Sequence, residues 1–210
     1  MKHAVKYPRT PHLPWSPGAT SDDVFADGLD NFIGKEVVVT EKMDGENTSL
    51  YFDGMHARSI DGRSHPSRDW LKRWHSTIAH ELPMGWRFCG ENVYAKHSIG
   101  YESLEHYFFL FSVWDSENRC LSWSDTVEWA EMLGCAVPEV LYVGQWDRKA
   151  IESLVVDEKV QEGYVVRLHE GFAFADFATS IAKWVRPNHV QTDQHWMQAA
   201  IVPNELKGME

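Results

Sequence analysis

The sequence predicts an α+β fold made mostly of antiparallel sheets, and three observations lead there. Short apolar runs, EVVVT (36–40), FFLFSVW (108–114) and GYVVR (163–167), have the length and the β-branched or aromatic content of strands. Two further runs, NTSLYFDG and MHARSIDG, meet at an Asp-Gly, the signal of a hairpin. Helical stretches lie between the strands, and with the hairpin signal they favour antiparallel sheets over a purely parallel one.

In chain order, YPRTPHLPWSPG (7–18) is rich in proline. Residues 1–34 are therefore read as an extended segment that wraps the domain and stays out of its core. EVVVTEK (36–42) is a strand, and the hairpin follows. SRDWLKRWHSTIAHEL (67–82) reads as a helix capped by Ser67, with Trp70, Leu71, Trp74, Ile78 and Leu82 at helical spacing. WRFCGENVYA is a strand with its exit loop, and 107–115 is a buried aromatic strand. A helix capped by Ser124 runs through Leu133 and stops at Gly134. EVLYVG is a strand and DRKAIESLV a helix, and EGYVVR, FAFADF and SIAKWVR are three closing strands. HVQTDQHWMQAA is a terminal helix in a tail over 191–210, which leaves 35–190 as the main domain.

The chain has 210 residues, 43% of them hydrophobic and 24% charged, which suits one large domain with a real core. No apolar run nears the roughly 18 residues of a membrane helix, and the basic start lacks the apolar stretch of a secretory signal. Cys89, Cys120 and Cys135 are odd in number and widely spaced, against a disulfide framework or zinc knuckle, so a reducing, cytoplasmic setting is expected. A net charge of −11 argues against nucleic-acid binding when taken as a sum. Yet Arg58, Arg63, Arg68, Lys72, Arg73 and Arg87 share one window while acids concentrate in 117–162, so a basic face on an acidic protein is compatible; the other reading is a solvated helix face.

Ionisable residues recur where strands end. Lys42 and Asp44 follow the first strand, Glu91 lies in CGEN, Glu162 opens EGYVVR, and Lys183 sits between apolar neighbours in SIAKWVR. Several strands delivering charge to one cleft is how a site is built on a rigid scaffold. The ordered set KMDG, CGEN, FFLFSVWD, EGYVVR and AKWVR resembles the nucleotidyltransferase signature of polynucleotide ligases and capping enzymes. Its wording is most similar to RNA ligases of the phage nick-sealing type and their bacterial relatives. Asn47, Arg58 in HARS and the GENVYAKHSI stretch carry that likeness, which runs from about 35 to 190.

The resemblance implies an ATP-grasp-like domain with a nucleotide cleft between its sheets, and ATP with Mg2+ or Mn2+ as cofactors. Lys42 would be the nucleophile that takes AMP. Glu162 would bind the metal, and Lys183 would touch the AMP phosphate. Glu91 would hold the ribose hydroxyls. Phe111 would stack on adenine, with Phe109 as the alternative one side-chain step away. Arg58 and Asn47 would contact phosphate or the RNA end, Glu41 and Gly45 would frame the pocket beside Asp44, and Arg186 would stand where many relatives have a second lysine. Arg63, Arg68, Lys72, Arg73, Lys96 and His97 are the candidate RNA contacts. The partners implied are nicked or single-stranded RNA ends and an end-healing kinase-phosphatase in trans, with no membrane.

Singly, each residue has a plainer reading. Asp44 is a turn residue, Glu91 a helix cap, Phe111 core, Glu162 one half of a cross-strand pair with Arg167, and Lys183 an edge lysine that snorkels. His75, His80, His189 and His195 are read as surface or RNA-facing, because spacings of five and six do not place two ligands on one helical face. Two departures from the family stand out. Val185 occupies the place of the second lysine, and the short stretch after AKWVR has no room for an OB domain. The rival functions are a GTP-using capping-type guanylyltransferase, a DNA ligase core and a non-sealing nucleotide or RNA sensor.

Overall fold

The structure is a computed structural model and describes residues 4–60, 65–187 and 201–208. Its strands are β1 (Glu36–Glu41), β2 (Glu46–Tyr51), β3 (Gly54–Ala57), β4 (Arg87–Asn92), β5 (Phe108–Trp114), β6 (Arg119–Cys120), β7 (Val140–Gln145), β8 (Gly163–Leu168), β9 (Phe172–Ala173) and β10 (Ile181–Val185). The helices are α1 (Asp69–Ile78), α2 (Trp123–Leu133), α3 (Arg148–Glu152) and α4 (Phe177–Ser180). One sheet runs β10-β8-β1-β7 and the other β3-β2-β4-β5-β6-β9, with antiparallel pairing throughout. The α+β fold of antiparallel sheets that the strand runs predict is the fold observed.

Period-2 alternation assigns the two faces of the larger sheet. Leu50, Phe88, Phe108, Leu110 and Val113 pack against Leu71 and Ile78 of α1 and Ala130 and Leu133 of α2. On the opposite face, Cys89, Trp114, Cys120 and Phe172 meet Val37, Val39, Tyr164 and Val166 of the smaller sheet. The order of layers is small sheet, large sheet, helices, and both interfaces are rich in aromatic side chains. A third cluster joins Met43, Val93, Leu104, Tyr107 and Phe109.

Several local expectations are corrected. Ser67 does not cap the helix: it lies inside a 3-10 turn, Pro66–Arg68, whose cap is His65, which accepts from the Ser67 backbone N–H through Nδ1 at 3.3 Å. Ser122, not Ser124, caps α2, accepting from the Asp125 N–H at 3.1 Å; the helix starts two residues earlier than expected, with Trp123 buried at its first position. Gly134 ends α2 at φ 67°, as its position after Leu133 foretells. FAFADF is a strand only at Phe172–Ala173 and then coils into a 3-10 turn and α4, burying Phe177. The N-terminal segment does not stay out of the core: Tyr7, Leu13 and Phe32 are at most 5% exposed. Of the expected helical tail, 191–200 lies outside the described residues, and 201–208 is not helical. There the Asn204 side chain donates to Val93 O at 2.7 Å and accepts from the Tyr101 N–H at 2.9 Å.

Candidate active site

Three adjacent strands of the small sheet deliver its charged residues to one place. Lys42 leaves β1 with its backbone N–H donating to Gly163 O at 2.9 Å. Glu162 sits beside it at the entry to β8, and its carbonyl accepts from the Arg186 N–H at 3.0 Å. Gly163 makes this junction possible: a Cβ there would lie 2.0 Å from Trp184 O, so only glycine lets β8 and β10 approach so closely. The Lys42 ammonium is ion-paired with Glu162 Oε2. The Lys42 side chain keeps 24% exposure, whereas that of Glu162 keeps 3%, so the lysine reaches the opening and the carboxylate forms the floor.

From the large sheet, Asn47, Glu91 and Phe109 stand in register across β2, β4 and β5. Desolvation pushes the Glu91 carboxyl up to about 8, with Glu162 and Asp44 adding to the shift and Lys42 opposing it. Burial alone would lower the Lys42 pKa, but Glu162 and Glu91 outweigh it and the net direction is up. Desolvation, with the Lys42 cation adding to it, brings Lys183 down to about 8. Burial beside Glu139 raises Glu41 to about 7. The charges of the cleft thus act on one another: Glu162 and Glu91 on Lys42, and Lys42 and Glu162 on Lys183.

Asp44 is not a simple turn residue. Its Oδ2 accepts from Ser98 Oγ at 2.6 Å and from the Ile99 N–H at 2.8 Å, and its own N–H donates to the Tyr101 hydroxyl at 2.8 Å. Gly45 is needed for close approach, since a Cβ would lie 2.5 Å from Asn92 O. Phe109 packs in the cluster with Met43 and Tyr107. Phe111 is the extra residue of a bulge, where the pairing skips from Cys89–Ser112 to Gly90–Leu110. Its ring meets Tyr7 edge-on at 5.4 Å, and its carbonyl accepts from Arg167 Nη1 at 3.1 Å. Arg167 also donates to Leu121 O at 2.6 Å, so its bonds go to carbonyls and the expected cross-strand pairing with Glu162 is not what engages it. Glu91, likewise, lies within β4 and caps no helix. The buried Asn47 Oδ1 and Arg186 Nε have no hydrogen-bond partner among the described residues.

Arg58 follows β3, with its N–H bonded to Asn47 O at 2.8 Å and its Nε donating to Tyr7 O at 3.4 Å. The expected basic face is only partly assembled. Arg68 is held by Glu46, with Nε donating to Oε2 at 2.6 Å. Arg87 is buried over the Trp114 ring, 4.5 Å from its centroid. Arg73 and Lys96 are exposed, Lys72 pairs with Asp69 at 3.0 Å, and His97 is half-buried. Arg63, His189 and His195 lie outside the described residues. His75, expected at the surface, is buried and engages Tyr51 O through Nε2 at 2.7 Å, while His80 is exposed beside Glu81. The sequence reading assigns no site role to Tyr7, Ser98, Tyr101 or Arg167, although Ser98 lies in GENVYAKHSI, Tyr101 just beyond it, and Arg167 closes EGYVVR.

The fold is shared with solved ligases. An archaeal ATP-dependent RNA ligase superposes with a TM-score of 0.55 at 15% identity, covering 85% of this chain and 48% of its own. A Naegleria gruberi RNA ligase mutant with AMP and Mn gives 0.53 at 16%, covering 76% and 52%. A protein described as an ATP-dependent DNA ligase of Aquifex aeolicus gives 0.53 at 19%, covering 85% and 49%. The chain thus spans about half the length of the ligases it matches. No curated protein matches. The family model for RNA ligase matches residues 35–185, a span that begins just before β1 and ends with β10, and so takes in Lys42, Glu91, Glu162 and Lys183. On that match the chain belongs to the RNA ligase family.

Proposed function

We propose that this protein is an ATP-dependent RNA ligase that joins 3′-hydroxyl and 5′-phosphate RNA ends through a lysyl-AMP intermediate on Lys42. The observation that carries the reading is the convergence of Lys42, Glu162 and Lys183 from β1, β8 and β10. The Lys42 nitrogen would form a bond to the α-phosphorus of ATP as the bond to the β-phosphate oxygen breaks and pyrophosphate leaves. The amine must first lose a proton, and a free lysine holds it up to a pH of about 10.4. Glu162, already in contact, is the acceptor at hand, and the neighbouring Lys183 charge favours neutral Lys42. AMP would then pass to the 5′-phosphate of RNA, and attack by the 3′-hydroxyl would seal the ends and release AMP.

Glu162 would hold the divalent metal, with Glu91 or Asp44 near. The residues fit a hard cation of the magnesium type. Among the described residues no three ligands form a cage, and magnesium characteristically takes one or two carboxylates, leaving its other positions to water and substrate phosphate. The metal would neutralise phosphate oxygens during transfer. Phe111 or Phe109 would stack on adenine, and Asn47, Arg58 and Arg186 would meet phosphate. Exposed Arg73 and Lys96 would meet RNA, with a kinase-phosphatase in trans supplying healed ends for RNA repair in a cytoplasmic setting.

The test is incubation with α-phosphate-labelled ATP, or labelled GTP, and a divalent metal. Covalent label from ATP that disappears in Lys42→Ala is the expected result. Label from GTP alone would move the protein to capping chemistry, and no label from either would end the autonomous-ligase reading. The DNA ligase neighbour favours one second reading, a DNA-sealing core. Nicked duplexes with RNA or DNA at the 3′-hydroxyl side separate the two.

A further inference from the structure

β10 is the outermost strand of the small sheet, yet its free edge is covered. Alternate backbone groups of a strand point to opposite sides. Ala182 and Trp184 turn theirs toward β8, and Lys183 and Val185 turn theirs outward. The N-terminal segment 11–18 meets all four of those outward groups. The Lys183 N–H donates to Pro11 O at 2.9 Å, and Lys183 O accepts from the Leu13 N–H at 2.7 Å. The Val185 N–H donates to Ser16 Oγ at 2.9 Å, and Val185 O accepts from the Gly18 N–H at 2.9 Å. Gly18 is there because a Cβ would lie 2.3 Å from Arg186 O.

His12 locks this strap. Its ring is fully buried, and Nδ1 lies 2.8 Å from the same Ser16 Oγ that receives the Val185 N–H. Ser16 Oγ thus accepts from the Val185 N–H and shares a hydrogen bond with His12 Nδ1, while His12 Nε2 faces Asp23, 3.6 Å away. The His12 backbone is held in turn by residues 24 and 26, at 2.7 and 2.8 Å. Asp23, fixed by the Thr20 N–H and hydroxyl at 2.9 Å, is also the carboxylate of the strap whose charge acts on Lys183.

We infer that His12 and Ser16 are positioning residues for Lys183: through the strap they set the register of β10 and so where the Lys183 ammonium stands against Lys42 and Glu162. This rests on the adenylyltransferase reading above for its consequence in catalysis, but the placement itself is measurable without it. A strap that only shielded an edge strand would need neither a buried imidazole nor a serine hydroxyl bonded to the Val185 amide; backbone pairing alone would serve.

Two measurements on the full chain test it, using Ser16→Ala, Ser16→Thr and His12→Asn. The first follows the Lys183 ε-amine by NMR after reductive methylation with labelled formaldehyde, the signal assigned by its loss in Lys183→Arg. The expected result is a shifted signal and a shifted titration midpoint in Ser16→Ala and His12→Asn, with recovery in Ser16→Thr. An unmoved Lys183 in folded variants overturns the inference whether or not the protein takes AMP. The second is the rate of Lys42 labelling from ATP. Ser16→Ala should lower the saturated rate roughly tenfold or more, with little change in the ATP concentration for half-saturation, as expected of a misplaced transition-state contact. In a Lys183→Ala background the same change should cost almost nothing further. Full additivity would show that the strap acts elsewhere and overturn the inference. If the wild type takes no label while the first measurement gives the expected shift, it is the functional reading that fails and not the placement.

Discussion

Lys42 and Glu162 lie 120 positions apart in the chain and touch through their side chains. At this scale the decisive quantity is the proton count of the cleft. Burial raises the Glu91 carboxyl to about 8 in the fold, against 4.5 for the free side chain. Between those values the native state holds more protons than the unfolded chain, so stability falls as pH rises through that window. Glu41, raised to about 7, slopes the same way over part of the range. Glu91→Gln should therefore flatten the decline of melting temperature between about pH 5 and pH 8, leaving the slope due to Glu41. Thermal unfolding of both proteins across that range checks it. An unchanged slope would mean that Glu91 is ionised throughout.

At the scale of elements, α2 offers a clean comparison. Ser124, the cap expected from the sequence, lies inside the first turn, and Ser122 stands just before the helix. Only Ser122 bonds a free N–H of the first turn. Ser122→Ala should cost about 1 kcal/mol and Ser124→Ala well under half of that, read from urea midpoints. The β8–β10 junction predicts a larger effect. A Cβ at Gly163 meets Trp184 O, which is backbone and has no rotamer to yield. Gly163→Ala should cost at least about 2 kcal/mol and also impair ATP labelling, because the same junction sets Glu162 against Lys42.

At the scale of the whole molecule, the proposed site draws on both sheets: Lys42, Glu162 and Lys183 from one, Asn47, Glu91 and Phe109 from the other. A ligand that bridges them binds the native state alone and stabilises it by mass action. ATP with manganese should raise the melting temperature, by about 2.7 kcal/mol in stability at a hundred times the dissociation constant. Lys183→Ala and Glu162→Ala should each reduce that gain in differential scanning calorimetry. Among the described residues no helix is long and apolar enough to cross a membrane.

The sequence by itself determined the longer strands and the charged residues within or beside them; the two-residue β6 carries no local signal. Strand identity is a local matter of β-branched and aromatic side chains, as in EVVVT and FFLFSVW, and strand ends are marked by glycine and charge. FAFADF misled because the burial of Phe177 favours α4 over the extended form that composition suggests. Only the tertiary structure decided which cations are spent. Arg87 stacks on Trp114, Arg68 is taken by Glu46 and Lys72 pairs with Asp69, so a basic window in the sequence is a much smaller basic surface. It alone decided that Phe111 sits on a bulge and that the proline-rich start pairs with β10. Those outcomes depend on hydrogen bonds between segments up to 169 positions apart, and no local pattern encodes which distant amide a serine hydroxyl will meet.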